Sequence, residues 1–295
     1  MKSLINTQIT DHKLLNLKAF FDEETNTVTY LVWDKISQEA AIIDPVFDFN
    51  GLTGASDTHS ADVVLEFAEQ AGLNIKYVFE THAHADHLSG APYIKTKTGA
   101  KIGIGENINK VQEIFRPIFN QHKQDESDFD ILLSPEQPLY LGELPIYILP
   151  TPGHTPACVS FKIEDSIFIG DTMFMPDFGT ARCDFPGGDA ETLFESIQLI
   201  LSHPKHTKLF MCHDYQTDER KDYAWETTVD EQQKTNIHVN QSIGKADFVK
   251  TREARDATLL APKLLLPSIQ VNINAGNLPK TEDNGVSYIK IPIKL

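Results

Sequence analysis

The stretch Thr81-His82-Ala83-His84-Ala85-Asp86-His87 places three histidines and one aspartate within six positions. Neutral imidazole and carboxylate are side chains that divalent metals take as ligands. The run Ile75-Lys76-Tyr77-Val78-Phe79 just before it is typical of a buried strand, so the cluster follows a strand end, where loops carry function. A solvated loop that binds metal by chance is the alternative, and the strand that leads into the cluster favours a metal centre.

Histidine and aspartate, called metal-type residues below because metals bind them, recur at the ends of three further predicted strands. Each of these strands is followed within a few residues by a histidine or an aspartate: 145–149 by His154, 166–169 by Asp171, and 209–211 by His213. A lone histidine is usually structural. Four strand ends with the same chemistry instead indicate one shared site.

The chain is strongly acidic, which bears on its partners. Its 295 residues include 26 Lys and Arg against 42 Asp and Glu, a formal net charge of -16. Such a charge repels nucleic-acid phosphates and anionic membrane surfaces, and we find no basic patch that would offset it. No apolar stretch approaches the roughly 20 residues needed to span a bilayer. We therefore expect neither a nucleic-acid partner nor a membrane partner.

Neither the N-terminus nor the cysteines indicate secretion. Residues 1–7 turn polar at once and lack the apolar core of a signal peptide. The cysteines, Cys158, Cys183 and Cys212, are odd in number and widely spaced, which fits neither a disulfide framework nor a zinc ribbon. We therefore expect a cytoplasmic protein.

The organisation of the chain changes at about residue 220. Before that point strands alternate with amphipathic helices; we expect further strands at 28–33, 40–43, 101–104 and 159–163, and helices at 62–71, 90–97 and 193–201. After it the chain becomes polar, with helical spacing at 225–239 and 247–260 and a strand-like end at 288–291. We interpret 1–220 as a catalytic domain and 221–295 as a C-terminal appendage packed on it.

Taken in order, the metal-type residues are similar to those of the metallo-β-lactamase superfamily. Every usual ligand position of that superfamily is filled here, by His82, His84, Asp86, His87, His154, Asp171 and His213. The resemblance covers roughly residues 15 to 220. It implies an α/β (α+β) fold, an αββα sandwich in which two mixed β-sheets lie back to back with helices outside.

Within the superfamily, the chain resembles the persulfide dioxygenases related to the ethylmalonic-encephalopathy protein. The segments that carry this resemblance are Gly170-Asp171-Thr172, Gly179-Thr180-Ala181-Arg182-Cys183-Asp184-Phe185 and His213-Asp214-Tyr215. Residues 225–229 and 272–279 add a likeness to the bacterial branch of β-lactamase-like hydrolases. Ala181 and Cys183 stand where the animal proteins commonly have Gly and Thr, a departure that falls in the expected substrate pocket.

The resemblance implies one Fe(II) ion per chain, held by His82, His154 and Asp171. Two histidines and one carboxylate leave three adjacent coordination positions open, enough for a sulfur ligand and dioxygen together. The expected substrates are glutathione persulfide and dioxygen, and the products are sulfite and glutathione. The remaining metal-type residues would then orient ligands and water without binding the ion: His84, Asp86, His87 and His213.

Two other functions stay open at this point. A glyoxalase-II-type thioester hydrolase would use the same residues to hold two zinc ions about 3.5–4 Å apart around a shared hydroxide. A non-catalytic metal-binding or redox-sensing module would have degraded ligand positions, and none is degraded here. One iron per chain favours the dioxygenase and two ions favour the hydrolase. The appendage could also serve as the surface of a homodimer.

Glutathione carries two carboxylates, so we expect a cationic contact in the substrate pocket. Arg182, in a glycine-rich loop, is the first candidate, and an ion pair with Asp184 or Asp189 is its alternative role. Tyr215 could hydrogen-bond the peptide, and the alternative is a tyrosine packed in the core.

Four more residues are assigned to positions outside the reaction itself. The stretch 81–87 is called the metal loop below. We expect Asp44 to brace this loop by accepting backbone hydrogen bonds. Cys183 is expected to be an unreactive, buried or half-buried thiol. Arg252 and Arg255 are expected on a solvated helix face.

Overall fold

The computed structural model describes residues 5–11, 13–121 and 128–293, so the polar segment at 1–7 lies partly outside the described residues. The strands are β1 (Ile5–Asp11), β2 (Leu15–Asp22), β3 (Thr27–Asp34), β4 (Glu39–Ile43), β5 (Val46–Phe49), β6 (Ser56–Asp57), β7 (Asn74–Phe79), β8 (Leu88–Ser89), β9 (Lys101–Gly105), β10 (Ile131–Leu133), β11 (Leu139–Leu141), β12 (Leu144–Pro150), β13 (Val159–Ile163), β14 (Ser166–Phe168), β15 (Lys208–Phe210) and β16 (Glu226–Thr228). The helices are α1 (His59–Gln70), α2 (Ala91–Thr98), α3 (Ile108–Phe115), α4 (Ala190–Leu201), α5 (Val229–Thr235), α6 (Lys245–Asp256) and α7 (Leu265–Asn272), with a 3-10 helix at Arg116–Phe119. None of the described helices is long and apolar enough to span a bilayer.

Seven strands form the first sheet, in the order β1-β2-β3-β4-β7-β9-β10. Strands β1 to β4 pair antiparallel, and the pairs from β4 through β7 and β9 to β10 are parallel. Every residue of β3 is buried, because both faces of this sheet are covered. Leu31 and Trp33 pack with helices α1 to α3, whereas the alternating Tyr30 and Val32 pack against the second sheet.

Six strands form the second sheet, in the order β11 to β16. Phe168 and Phe210 pack in the core between the two sheets, while Ile167 and Leu209 belong to a core that contains α4 on the outer face. Both sheets are mixed, since β14 and β15 pair parallel within an otherwise antiparallel sheet. The predicted αββα sandwich is confirmed.

Strand direction brings the metal-type residues to one edge of the sandwich. Strands β12, β14 and β15 run the same way, because β12 and β14 both pair antiparallel with β13 and β15 is parallel to β14. His154, Asp171 and His213 therefore follow ends on the same side of the second sheet. The first sheet meets that side where the Thr81 carbonyl accepts a hydrogen bond from the Val159 N–H at 2.9 Å.

The prediction of helix over 225–239 is wrong at its beginning. Glu226–Thr228 form β16, which pairs antiparallel with β15, and α5 begins only at Val229. Thr228 caps the helix, because its hydroxyl accepts a hydrogen bond from the Glu231 N–H at 3.2 Å. The second sheet therefore extends past residue 220, and the division of the chain at that residue stays a prediction.

The strand-like segment at 288–291 does not form a strand. None of the described strands pairs with it. Instead, backbone groups of this segment form hydrogen bonds with the side chain of Gln270. Its Nε2 donates to the Lys290 carbonyl and its Oε1 accepts from the Lys290 N–H, both at 2.9 Å. Alternating apolar residues predict a strand only where a neighbouring strand offers its edge.

Candidate metal centre

Asp44, just after β4, holds the beginning of the metal loop, as the sequence predicts. One carboxylate oxygen accepts a hydrogen bond from the Thr81 N–H at 2.7 Å and the other accepts from the Thr81 hydroxyl at 2.9 Å. The first oxygen also lies 2.9 Å from His84 Nε2. Asp44 adopts a φ of 51°, in the left-handed region, a conformation that costs energy for a non-glycine residue and occurs often at functional sites.

His82, His154 and Asp171, the first group, converge from three separate strand ends. Their ligand atoms lie within 4.8 Å of one another. His82 Nδ1 is 3.0 Å from the Thr81 hydroxyl, and His154 Nδ1 is 2.7 Å from the carbonyl oxygen of Arg182. Because that hydroxyl already donates its proton to Asp44, it accepts from His82. Both rings therefore carry their proton on Nδ1 and offer Nε2 to a metal.

The second group consists of His84, Asp86, His87 and His213. Ligand atoms of the first three lie within 4.8 Å of one another. His213 Nε2 lies 3.4 Å from Asp86 Oδ2. The Nδ1 atoms of His87 and His213 face backbone carbonyl oxygens at 3.2 and 3.1 Å, so that these two rings also present Nε2 to the centre.

Asp171 lies between the two groups. One of its oxygens, Oδ2, is 3.8 Å from His154 Nε2, and the other, Oδ1, is 3.4 Å from His213 Nε2. A carboxylate in this position can bind one ion with the first group or bridge two ions between the groups.

Buried polar atoms at the centre indicate that the residues fit a cation. Among the described residues, the buried side-chain atoms without a hydrogen-bond partner include His84 Nδ1, Asp86 Oδ2, His87 Nε2, Asp171 Oδ1 and His213 Nε2. Leaving a buried polar group unpaired costs about 1–3 kcal/mol. All five atoms are nitrogen or carboxylate oxygen, so a bound divalent ion would satisfy them as ligands.

The pKa shifts of His82, Asp86 and His87 favour the forms that bind metal. Burial lowers the pKa of His82 well below its usual value and that of His87 to about 3, so both rings are neutral. Burial works to raise the pKa of Asp86, but electrostatic attraction to the neighbouring histidine rings outweighs burial and brings that pKa down to about 2, so the carboxyl group is ionised. Neutral imidazole and ionised carboxylate bind metal without first releasing a proton.

His84 differs from His82 and His87 in the direction in which its pKa is shifted. Burial alone would lower its pKa, but the carboxylates of Asp44 and Glu80 outweigh burial and raise the pKa well above the usual value. Glu80 Oε2 lies 3.4 Å from His84 Nε2. The Nε2 side of this ring is therefore held by two carboxylates, and only Nδ1 faces the centre.

Sequence reasoning missed Glu80 and Cys212. Glu80 is buried, and besides contacting His84 it accepts a hydrogen bond from the Ser89 hydroxyl. Cys212 Sγ lies within 4.8 Å of ligand atoms of His84 and His213. Each of the two directly precedes a metal-type motif, and that adjacency is the only sequence signal for them.

Arg182 forms the ion pair that the sequence leaves as its alternative role. Its guanidinium donates to both oxygens of Asp184, at 2.6 and 2.7 Å, and to the carbonyl oxygen of Leu260 at 2.7 Å. Its own carbonyl accepts the His154 Nδ1 proton, which ties this loop to the first group. The contact with a substrate carboxylate stays a prediction.

Tyr215 lies against the second group with part of its surface in solvent. The residue is 40% exposed, and its ring stacks on His213 with the centroids 5.6 Å apart. The ring of Phe178 packs against the Tyr215 ring, with the two centroids 5.1 Å apart. Desolvation, together with the charges of Asp86 and Asp171, raises the pKa of the hydroxyl well above its usual value, so the hydroxyl stays protonated and can donate.

The expectation of a solvated helix face is wrong for Arg252. Its side chain is buried against the loop at 179–185, where it donates to the Thr180 carbonyl at 3.0 Å and to Asp256 at 2.5 Å. The Asp256 carboxylate makes this burial possible, because it neutralises the guanidinium. Arg255 is exposed, as expected.

Cys183 is a buried thiol, as the sequence predicts, and its surroundings disfavour the thiolate. The residue is buried, and its Sγ lies 3.4 Å from Asp256 Oδ2. Burial and that carboxylate raise the pKa of the thiol to about 12, which disfavours the reactive thiolate.

Comparison with known proteins agrees with this geometry. A family model described as the metallo-beta-lactamase superfamily matches residues 22–213. A probable metallo-hydrolase of Burkholderia pseudomallei is 46% identical over 292 residues, covering 95% of this chain and 99% of the relative. Glyoxylase B2 of Dictyostelium discoideum is 47% identical over 282 residues, covering 94% of this chain and 96% of the relative.

More distant proteins share the fold and part of the sequence. The mitochondrial persulfide dioxygenase ETHE1 of Bos taurus is 28% identical over 202 residues, which cover 68% of each chain. The crystal structure of ETHE1 from Myxococcus xanthus superposes with a TM-score of 0.71 at 24% sequence identity, covering 88% of this chain and 99% of that chain. At that identity, the structural likeness establishes the fold.

Proposed function

The chain belongs to the metallo-β-lactamase superfamily, an enzyme superfamily, and within it we propose that the protein is a persulfide dioxygenase. Its substrates would be glutathione persulfide and dioxygen, and its products sulfite and glutathione. The observation that carries the proposal is the convergence of His82, His154 and Asp171 within 4.8 Å. Two histidines and one carboxylate are the ligand set typical of non-haem Fe(II) oxygenases.

The chain's own residues prepare the site for this chemistry. His82 and His154 present Nε2 because their Nδ1 protons are bound by Thr81 and Arg182, so neither ring must rotate on binding an ion. A bound Fe(II) would supply the redox chemistry between the persulfide and dioxygen. Tyr215, whose hydroxyl stays protonated, would donate a hydrogen bond to the substrate at the edge of the pocket.

The reaction balances with water as the third reactant. The outer sulfur of the persulfide loses four electrons, and dioxygen takes them up. Both oxygen atoms go to that sulfur, and water cleaves the bond between the two sulfur atoms and supplies the third oxygen of sulfite. Glutathione leaves as the thiol, and two protons are released. Holding the reactants side by side would contribute several kcal/mol through proximity alone.

A sequence relative also supports the proposal. The bovine persulfide dioxygenase, 28% identical over 202 residues, matches 68% of this chain. The identity to the glyoxylase and to the probable metallo-hydrolase is higher, at 47% and 46%. Metal chemistry therefore needs a direct test.

A dinuclear thioester hydrolase is the second candidate. The observation that favours it is the set of unpaired atoms in the second group, on Asp86, His87 and His213, together with the position of Asp171 between the groups. Those residues could hold a second ion, and two ions about 3.5–4 Å apart can activate a shared hydroxide.

Metal analysis beside an oxygen electrode distinguishes the two candidates. The dioxygenase predicts about one iron per chain and oxygen uptake with glutathione persulfide, both lost in His154→Ala. Oxygen uptake no greater than that of His154→Ala would overturn the proposal. Two ions per chain with hydrolysis of a glutathione thioester would establish the hydrolase instead.

A further inference from the structure

Asn272, the last residue of α7, contacts the metal loop from the C-terminal part of the chain. Its Nδ2 donates to the carbonyl oxygens of His84 and His87, at 2.8 and 2.7 Å. Its Oδ1 accepts from the Ser89 N–H at 2.9 Å. The residue is 4% exposed, and these three bonds use both amide protons and the amide oxygen.

These bonds hold backbone groups that the loop itself leaves without partners. The segment between β7 and β8 is irregular, so its carbonyls cannot pair within a helix or a sheet. Asp44 holds the beginning of this loop through Thr81, and Asn272 holds the part from His84 to Ser89. The second group takes three of its four members from the segment that Asn272 holds.

Helix α7 is itself fixed against the same core as the loop. Ile269 and Ile273 pack in one hydrophobic cluster with Ala83 and Ala85 of the metal loop. The Ile273 carbonyl also accepts a hydrogen bond from Gln112 Nε2 at 2.7 Å. The amide of Asn272 therefore acts from a rigid support, which is what a positioning residue requires.

We propose that Asn272 is a positioning residue of the metal centre: it fixes the loop backbone so that His84, Asp86 and His87 point their free atoms into the centre. The C-terminal segment is thus a working part of the site. The proposal holds for either reaction. In a dinuclear hydrolase the loop presents these three residues to a second ion, and in the dioxygenase it holds them beside the ion bound by His82, His154 and Asp171, where they orient ligands and water.

The test measures binding of Co(II) to metal-free protein by competition with a chromophoric chelator, together with the visible absorption of bound Co(II). Asn272→Ala should bind Co(II) about 10-fold more weakly and change the Co(II) spectrum, in the range found when residues that orient metal ligands are removed. Asn272→Asp keeps the size of the side chain and the bond from Ser89, but replaces the Nδ2 donor to the loop carbonyls. It should weaken binding similarly.

Gln270→Ala is the matched control. Gln270 is also a buried amide on α7, but its side chain bonds to Lys290 and does not reach the loop. This variant should lower the melting temperature and keep wild-type Co(II) affinity and spectrum. The proposal is overturned if both Asn272 variants bind Co(II) like wild type, or if Gln270→Ala weakens binding as much as they do. If Asn272→Ala does not fold, Asn272→Asp decides.

Discussion

The two groups of the metal centre use the same side-chain types but are held in different ways. In the first group, His82 and His154 each donate Nδ1–H to an oxygen and face the centre with Nε2. In the second group, His84 is reversed: its Nε2 is held by Asp44 and Glu80, and Nδ1 faces the centre. A histidine's role in such a site thus depends on which ring nitrogen its neighbours occupy.

The groups also differ in what supports them. The first takes His154 and Asp171 from two strand ends of the second sheet, whose relative positions follow from strand pairing. Its third member, His82, lies at the beginning of the loop after β7, next to the residue Thr81 that Asp44 holds. The second depends mainly on one irregular loop, which is held by Asp44, just after β4, and by Asn272 of α7. We therefore expect changes in the surroundings of the loop to affect the second group more than the first.

The largest expected effect separates the groups by function. His154→Ala should reduce oxygen uptake by more than about 100-fold, beyond the range seen for residues that only orient a ligand, whereas His87→Ala should reduce it by about 10- to 100-fold, within that range. Rates at saturating glutathione persulfide, with iron content measured for each variant, provide the comparison. Equal losses in both variants would mean that both groups serve the reaction, as in a dinuclear hydrolase.

The next effect concerns the carboxylate of Asp44, which contacts His84 of the second group and Thr81, the neighbour of His82. Asp44→Asn removes the charge next to His84 and weakens the acceptor for Thr81, so metal affinity should fall about 10- to 100-fold. Asp48→Asn is the control, since Asp48 is also buried and accepts hydrogen bonds from the Ser60 N–H and hydroxyl. Chelator competition on both variants measures the difference. Comparable losses of affinity in the two would point to general destabilisation.

A smaller effect is expected in the pH dependence of stability. Burial and the charge of Arg252 lower the pKa of His238 to about 4, and its Nδ1 accepts a bond from the Thr180 N–H in the loop beside the first group. As pH falls below about 6.5, His238 binds a proton in the unfolded chain before it does so in the folded protein. Stability is therefore lost between about pH 6.5 and pH 4.

When the pH is lowered from 7 to 5, the melting temperature should fall by a few degrees less in His238→Asn than in wild type. Thermal unfolding of the metal-free proteins by circular dichroism measures this. His206→Asn, at a surface position with the side chain 70% exposed, should keep the wild-type pH dependence. The prediction would be contradicted if the melting temperature of His238→Asn fell with pH as steeply as that of wild type.

The smallest effect is expected at the thiols. Cys158, Cys183 and Cys212 are all buried, and burial raises the pKa of both Cys158 and Cys183 to about 12. A thiol reagent at pH 7.5 should therefore modify none of them within minutes in the native protein and all of them after denaturation. Rapid labelling of Cys183 in the native state would show that the loop at 179–185 opens in solution.

Most of the site could be predicted from the sequence, because its signals are local. Imidazole and carboxylate at the ends of apolar strands indicate a metal centre, and the order of His82, His154, Asp171 and His213 along the chain indicates the superfamily. Strand and helix patterns carry the same kind of information, and most predicted elements before residue 220 were found within a few residues of their expected ends.

The supporting residues could not be predicted in this way. Asn272 lies in a stretch with no metal-type pattern, and its bonds join it to residues more than 180 positions earlier. Arg252 has the sequence surroundings of a solvated residue and is buried only because Asp256 and the loop at 179–185 meet it there. Strand β16 lies in a polar segment, and pairing with β15 outweighed its helical pattern.

The sequence by itself determined which side chains can bind a metal and which fold brings them together, since both depend on residue type and short-range periodicity. Only the tertiary structure decided which nitrogen of each histidine faces the centre, which carboxylates set the charge of His84, and which distant amide holds the loop. Those properties depend on distances and directions between groups far apart in the chain, because hydrogen bonds and charge interactions act only across contacts that folding creates.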